Sequence, residues 1–179
     1  TNPALPVTDV QASLHTGTIA YVRTFALAGH SASVAASLPY VLGDLSGQVG
    51  DRSRQISRSG LGDLGLRFAA NLFGGPALTP GEFVQHESTT TLGASLTIIA
   101  PTGQYDPARL INISSNRWAF KSEIGLSHPM GNWFMDAAAG VWVYTANTDF
   151  LRDNVRSQDP LWALELHAGY NFRPGLWLV

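Results

Sequence analysis

The feature that most constrains this chain is the alternation in "PLWALELHAGYNF", residues 160–172. Trp162, Leu164, Leu166, Ala168, Tyr170 and Phe172 fall on one parity, and Ala163, Glu165, His167, Gly169 and Asn171 on the other. A period of two is the signature of a β-strand whose two faces meet different surroundings. If the apolar face points into a protein core, the chain is a sandwich or a water-soluble barrel. If it points outward, the medium on that side is lipid.

The same alternation recurs along the chain in segments about ten residues long, separated by Gly, Pro, Asn and Asp. A first strand lies within residues 10–27, with a muddled parity around Gly17 that suggests a β-bulge. A second, 31–41, sets Ala32, Val34, Ala36, Leu38 and Tyr40 against Ser33, Ala35 and Ser37. A third, 62–73, sets Leu64, Leu66, Phe68, Ala70 and Leu72 against Asp63, Gly65, Arg67 and Asn71. A fourth, 89–100, carries Leu92, Ala94, Leu96 and Ile98 on one face. A fifth, 117–127, is sharper: Trp118, Phe120, Ile124 and Leu126 oppose Arg117, Lys121 and Glu123. A sixth, 133–144, puts Trp133, Met135, Ala137, Ala139, Val141 and Val143 opposite Asp136, Gly140 and Tyr144. The opening stretch is the seventh, and an eighth begins at Gly175. No window shows a sustained, capped 3.6-residue period, so no helix longer than a turn or two is expected.

Composition bears on which face is buried. Charged residues make up 13% of the chain, about half the roughly 25% usual in soluble domains. Lys121 is the single lysine, whereas soluble β proteins use polar, Lys-rich faces and edges to prevent edge pairing. The connections point the same way. Short turns ("AGHS", "HPMGN", "RPG") alternate with long polar loops at 42–61, 101–116 and 146–159, and the 74–88 link is the exception. Short turns on one rim and long loops on the other is the plan of an outer-membrane barrel. Trp118, Trp133, Trp142, Trp162 and Trp177 all sit near predicted strand ends, where a ring with one polar N–H suits the water–lipid boundary. The expectation is an all-β, antiparallel transmembrane barrel with its apolar face toward lipid.

Other classes find little support. A net charge of −2 argues against nucleic acid, no cysteine is present for disulfides or Cys-based zinc sites, and no apolar run reaches eighteen residues. No signal peptide opens the sequence, so a mature or trimmed chain is expected. "GHSAS" at 29–33 is a near miss to a nucleophile elbow but falls in a turn, as does Ser127-His128. The five histidines lack metal-ligand spacing, and the chain is read as neither an enzyme nor a cofactor or metal protein. Asn147, Asp149, Asp153, Asn154 and Asp159 crowd oxygen atoms in one loop, without EF-hand spacing, and a solvated loop explains them better than calcium. Arg52, Arg54 and Arg58 could meet lipopolysaccharide phosphates or simply be solvated.

The parity assigns Asp63, Arg67, Asn71, Arg117, Lys121, Glu123, Asp136, Glu165 and His167 to the lumen. There they either line a pore that selects solutes by size and charge or pair into a network that plugs a narrow barrel. Both readings stand.

From Gly60 onward the chain resembles a family of bacterial proteins named for the MetA pathway of phenol degradation. The segments that carry the resemblance are "GLGDLGLRFAANLFGGPAL", "APTGQYDPARLINISSNRWAFKSEIGLSHPMGNW", "AGVWVYTANTDF" and "QDPLWALELHAGYNFRPGLW". In "NISSN" a serine stands where the family pattern has glycine. The resemblance implies a transporter-like barrel of the bacterial outer membrane, in contact with lipid and lipopolysaccharide. It further implies a parent barrel of about twelve strands, with seven or eight of them here in one domain truncated at both ends. Its implied task is passive transport of small, aromatic or hydrophobic solutes, the alternative being a closed barrel that acts through its extracellular loops.

Overall fold

The computed structural model describes residues 7–49, 52–173 and 176–179. Its main sheet is antiparallel and runs in the order β1 (Val7–Leu27), β2 (His30–Val49), β4 (Leu64–Phe73), β5 (Thr91–Ala100), β6 (Ala119–Met130), β7 (Trp133–Tyr144), β10 (Leu161–Arg173), β11 (Leu176–Leu178). β3 (Arg52–Leu61) pairs with the far end of β2, and β8 (Asn147–Phe150) with β9 (Asn154–Arg156) forms a small separate hairpin. The sheet curls into a half-barrel. Neighbours in sequence are neighbours in space, as an up-and-down meander requires. The expected start of the last strand, Gly175, lies outside the described residues.

No apolar centre holds this sheet together. Among the described residues the buried hydrophobic side chains are the alanines Ala32, Ala100 and Ala119. Large ones stand out at the surface instead: Leu166 is 67% exposed, Trp162 79% and Met135 51%, all three on one face of β7 and β10. Ladder hydrogen bonds and cross-strand pairs on the other face carry the fold.

The muddled parity near Gly17 has a different cause from the one expected. The β1–β2 register runs unbroken from Gln11 to Leu27 and shifts only between Thr8 and Gln11, so Gly17 sits in no bulge. What changes there is the polarity of each face. On the turn side of Gly17, Ile19, Tyr21 and Phe25 share the apolar face with Val34 and Leu38, and Arg23 is the one charge among them. Beyond Gly17 that face carries Ser13, His15, Asp44 and Ser57, with Ser57 donating to Asp44. The opposite face there becomes apolar, with Leu14, Val41, Leu45 and Ile56 meeting Ile111 and Ile113 of the 101–116 segment. In the transmembrane barrel expected from the sequence, a strand that leaves lipid for water would exchange its faces in this way, because its outer side changes solvent.

Three segments expected as loops are partly ordered. Residues 42–49 and 52–61 are not loop but paired strand, the end of β2 against β3, with ladder pairs from Tyr40↔Leu61 to Val49↔Arg52. Residues 146–159 contain the β8–β9 hairpin. The 74–88 link holds a six-residue helix, α1 (Pro80–Gln85), within the turn or two that the expectation allowed. Its signal was present in "TPGE": Thr79 is the N-cap, Pro80 takes the first helical position and Glu82 closes a capping box. Thr79 N–H donates to Glu82 Oε2 at 2.8 Å and the Thr79 hydroxyl at 2.7 Å.

Those bonds, the backbone one first, hold the Glu82 carboxyl below the usual glutamate range. A depressed folded value means that the box is fully formed above the ordinary glutamate pKa and lost as pH falls through the depressed one. The Thr79 amide is therefore expected to keep its exchange protection at neutral pH and lose it in acid, while the β4–β5 ladder stays protected. An amide-exchange series against pH checks this, and uniform protection would remove the carboxylate from the cap.

Candidate functional site

Register aligns the polar residues of five strands on the face opposite the apolar one. Arg67 stands opposite Thr97, Thr97 opposite Lys121, Lys121 opposite Trp142 and Trp142 opposite Leu161. In the next row of this face Ser95 faces Glu123, and Glu123 faces Gly140. In the row after that Asn71, Gly93, Gly125, Ala138 and Glu165 follow one another across the sheet. Ser127, Asp136 and His167 make a further row. This is the concave side: one cavity of about 260 Å³ is lined from Asn71 on β4 to Glu165 and His167 on β10.

Long charged side chains converge across this concavity. Lys121 Nζ pairs with Glu123 two residues along β6 and reaches Glu165 Oε1 at 3.4 Å over the intervening β7. Arg67 Nη2 reaches Glu123 Oε1 at 3.5 Å over β5, and both bond Ser95 Oγ, Arg67 at 3.2 Å and Glu123 at 3.4 Å. The four form a belt of zero net charge. Lys121 and Glu123 are 16% exposed, while Arg67 and Glu165 are about half exposed and keep contact with the open side. Gly140 makes room for them: a Cβ there would lie 3.2 Å from Lys121 Cε and 3.3 Å from Glu123 Cβ.

Asp136 and His167 line the same cavity one row nearer the short turns. Asn71 lines it too, but its amide donates to Gly75 O at 3.1 Å and fixes the turn after β4. Arg117 lies over the Tyr144 ring, 4.6 Å from its centroid, and donates to Gln158.

Asp63 departs from its expected position along the strand. It precedes β4 at the long-loop rim and accepts hydrogen bonds from Gly103 N (3.0 Å), Ser114 Oγ (2.6 Å), Ser115 N (3.2 Å) and Ser115 Oγ (3.4 Å). Its carboxylate is engaged in anchoring the 101–116 segment. The Asn147 amide, 2% exposed, bridges the same segment to β8 through Tyr105 OH, Ser115 O, Asn116 Nδ2 and Asp149 N. Asn147 is thereby consumed as a structural knot, and among the described residues no three His, Asp or Glu gather as a metal site. Arg52, Arg54 and Arg58 sit opposite Val49, Gly47 and Gly43, and Arg58 lies on the inner face of the hairpin, beside Ile113.

The tryptophans divide. Trp118, Trp133 and Trp162 stand on the convex apolar face, Trp118 stacked on Phe120 and Trp133 edge-on to Tyr170. Trp142 does not: its register opposite Lys121 puts it on the concave face, stacked with Tyr144. Trp177 is registered opposite Asn171, on the parity of Glu165 and His167. Position near a strand end says nothing of the side on which a ring stands. Parity does, and Trp142 shares the even parity of Asp136, Gly140 and Tyr144 on β7. The small residues Gly93, Gly125, Ala138 and Gly140 and the aromatic pair Trp142–Tyr144 are the concave-face features that a search for charges passes over.

The family model described as "Putative MetA-pathway of phenol degradation" matches residues 2–179. Among solved structures, an outer-membrane channel from Pseudomonas putida F1 superposes with a TM-score of 0.69 at 24% identity, over 95% of this chain and 60% of that one. At that identity the likeness is one of fold, an antiparallel transmembrane β-barrel, and this chain spans 60% of the length of the solved one. No curated protein sequence matches the chain.

Proposed function

We propose that this chain, which belongs to the family described as "Putative MetA-pathway of phenol degradation", forms part of a channel in a bacterial outer membrane. Small solutes, aromatic or hydrophobic ones among them, cross passively through its lumen. The observation that carries this reading is the opposition of two faces across β4 to β10. The convex face is apolar and exposed, with Leu66, Phe68, Leu96, Ile124, Leu126, Leu164 and Leu166. The concave face gathers Arg67, Lys121, Glu123 and Glu165. A protein in water would arrange them the other way round. Lipid on the convex side and water on the concave side satisfy both.

Trp118, Trp133 and Trp162 mark the boundaries of the lipid layer. The long-loop rim, with the 101–116 segment and the β2–β3 hairpin, then faces the exterior, and the short turns face the periplasm. Arg23, alone on the apolar face, is accommodated by extending its head toward the interface. The belt residues line the lumen and set what passes.

A second reading has an observation of its own. The 101–116 segment is fastened across the inner side of the β2–β3 hairpin by Asp63 and Asn147. If that closure is complete, the barrel is shut and its loops do the work. Single-channel recording of the full-length protein in planar bilayers decides between them: discrete conductance steps are expected, and a silent bilayer with correctly inserted protein would overturn the channel. Glu123→Gln leaves the belt at net +1, with Arg67 and Lys121 against Glu165 alone. Its reversal potential in a salt gradient is expected to move toward anion selectivity, and an unchanged potential would take the belt out of the conduction path.

A further inference from the structure

Resting on the channel reading, we infer that the concave wall carries a binding site for a planar aromatic carboxylate, built by Arg117, Trp142 and Tyr144 above the charged belt. The three are brought together by register. Tyr144 and Trp142 are two apart on the concave parity of β7, their rings 6.3 Å apart between centroids and tilted by only 9°. Arg117 covers one end of this pair through its contact with the Tyr144 ring. Lys121 stands opposite Trp142 in register, with its ammonium held by Glu123 and Glu165. The result is a strip of π-face with one cation seated on it, at the Tyr144 end.

The two cations differ in what they have left to give. Lys121 is paired with Glu123 and Glu165. Among the described residues Arg117 has no carboxylate partner: Nη2 donates to the neutral amide oxygen of Gln158, and Nη1 is screened from solvent with no acceptor. A guanidinium with one neutral partner and one orphaned donor is a vacancy for a bidentate carboxylate. A carboxylate displacing Gln158 exchanges a neutral hydrogen bond for two charge-assisted ones and satisfies Nη1. The ring attached to that carboxylate is then delivered alongside Tyr144 and Trp142. A planar ring gains from offset stacking there, and a saturated ring of the same size does not. Gly140, two residues before Trp142 on the same face, leaves the room below the strip that the Lys121 and Glu123 side chains fill.

The test is equilibrium binding to the detergent-solubilised full-length protein, read by saturation-transfer NMR with three probes: benzoate, cyclohexanecarboxylate and benzyl alcohol. Benzoate is expected to bind about three- to tenfold more tightly than the saturated acid and about tenfold more tightly than the uncharged ring. Trp142→Leu is expected to erase the first preference, Trp142→Phe to retain it, and Arg117→Gln to erase the second. Equal binding of benzoate and cyclohexanecarboxylate by the wild-type protein would overturn the site, and that comparison needs no variant to fold. A benzoate preference untouched by Trp142→Leu and Arg117→Gln would overturn it as well. Because binding is read without a bilayer, failure of this site leaves the conductance test intact, and a silent bilayer leaves the binding measurable.

Discussion

Leu166→Arg is expected to lower the folding stability of the full-length protein in a lipid bilayer by roughly 2–4 kcal/mol, the usual cost of a cationic side chain at the midplane of a transmembrane barrel. Leu166 lies at the middle of β10, 67% exposed on the convex face, opposite Ala137. Its neighbours on that face, Ala137 and Ala139 on β7 and Leu164 and Ala168 on β10, offer the guanidinium no carboxylate. One residue away, Glu165 points to the other side and contacts Lys121. Glu165→Leu is therefore expected to insert normally, at a cost of about 1 kcal/mol or less, because Glu165 is half exposed and its ion pair is screened. Denaturant-dependent refolding into phospholipid vesicles separates the two. Normal insertion of Leu166→Arg together with failure of Glu165→Leu would mean that the faces are reversed, and the membrane reading would fall with them. Ile124→Arg on β6 repeats the test on a second strand, since Ile124 is flanked by Ala94 and Ala139 and is also exposed.

That experiment turns on parity, and parity is what the sequence states most clearly. From β4 to β10 a two-residue period opposes charges to apolar side chains, and apart from one register shift between Asn71 and Phe73 the ladders agree with it row by row. A one-residue slip would carry every charge into the apolar face, so no other register competes. The first two strands were harder to read because each crosses from one solvent to another. A strand that exchanges its apolar face near Gly17 and Leu42 has no single parity, and the eye takes the exchange for a bulge. Trp142 differs from its expected side for a related reason: large aromatics near strand ends suggest an interface whichever side they occupy. Asp63 illustrates a separate limit. A carboxylate one residue above a strand can be spent on loop amides that only tertiary structure brings near. Asn147 was noticed as a cluster member for its oxygen. Its role depends on both ends of the amide, joined to partners more than thirty residues away.

Asp63→Ala is expected to release the 101–116 segment while leaving the sheet intact. Four donors converge on this one carboxylate, from Gly103, Ser114 and Ser115. Two are deep: Ser114 is 4% exposed, and Gly103 is pressed so closely on Gly62 that a Cβ would lie 2.6 Å from its carbonyl carbon. Removing the acceptor leaves those donors unpaired where water enters poorly, and hydrogen bonds to a charged group contribute about 1.5–3 kcal/mol each. The backbone bonds Gln104 N to Leu61 O and Ser114 N to Gln104 O remain, so the loss is expected at the lower end of the sum, about 3 kcal/mol. That corresponds to roughly a hundredfold rise in local opening. Asp63→Asn is expected to fall between the two, because its oxygen still accepts while its amide nitrogen turns a donor toward Ser115. Amide exchange over residues 103–115 in the inserted protein measures the opening, with the β6–β7 ladder as the internal reference. The same variant bears on whether the segment obstructs the lumen. A segment lying across the path would give larger or noisier conductance steps once Asp63 lets go, and one lying clear of it would leave the steps unchanged. Wild-type protection of 103–115 in Asp63→Ala would show that Asn147 and the backbone bonds alone hold the segment, and the carboxylate would lose the anchoring role given to it here.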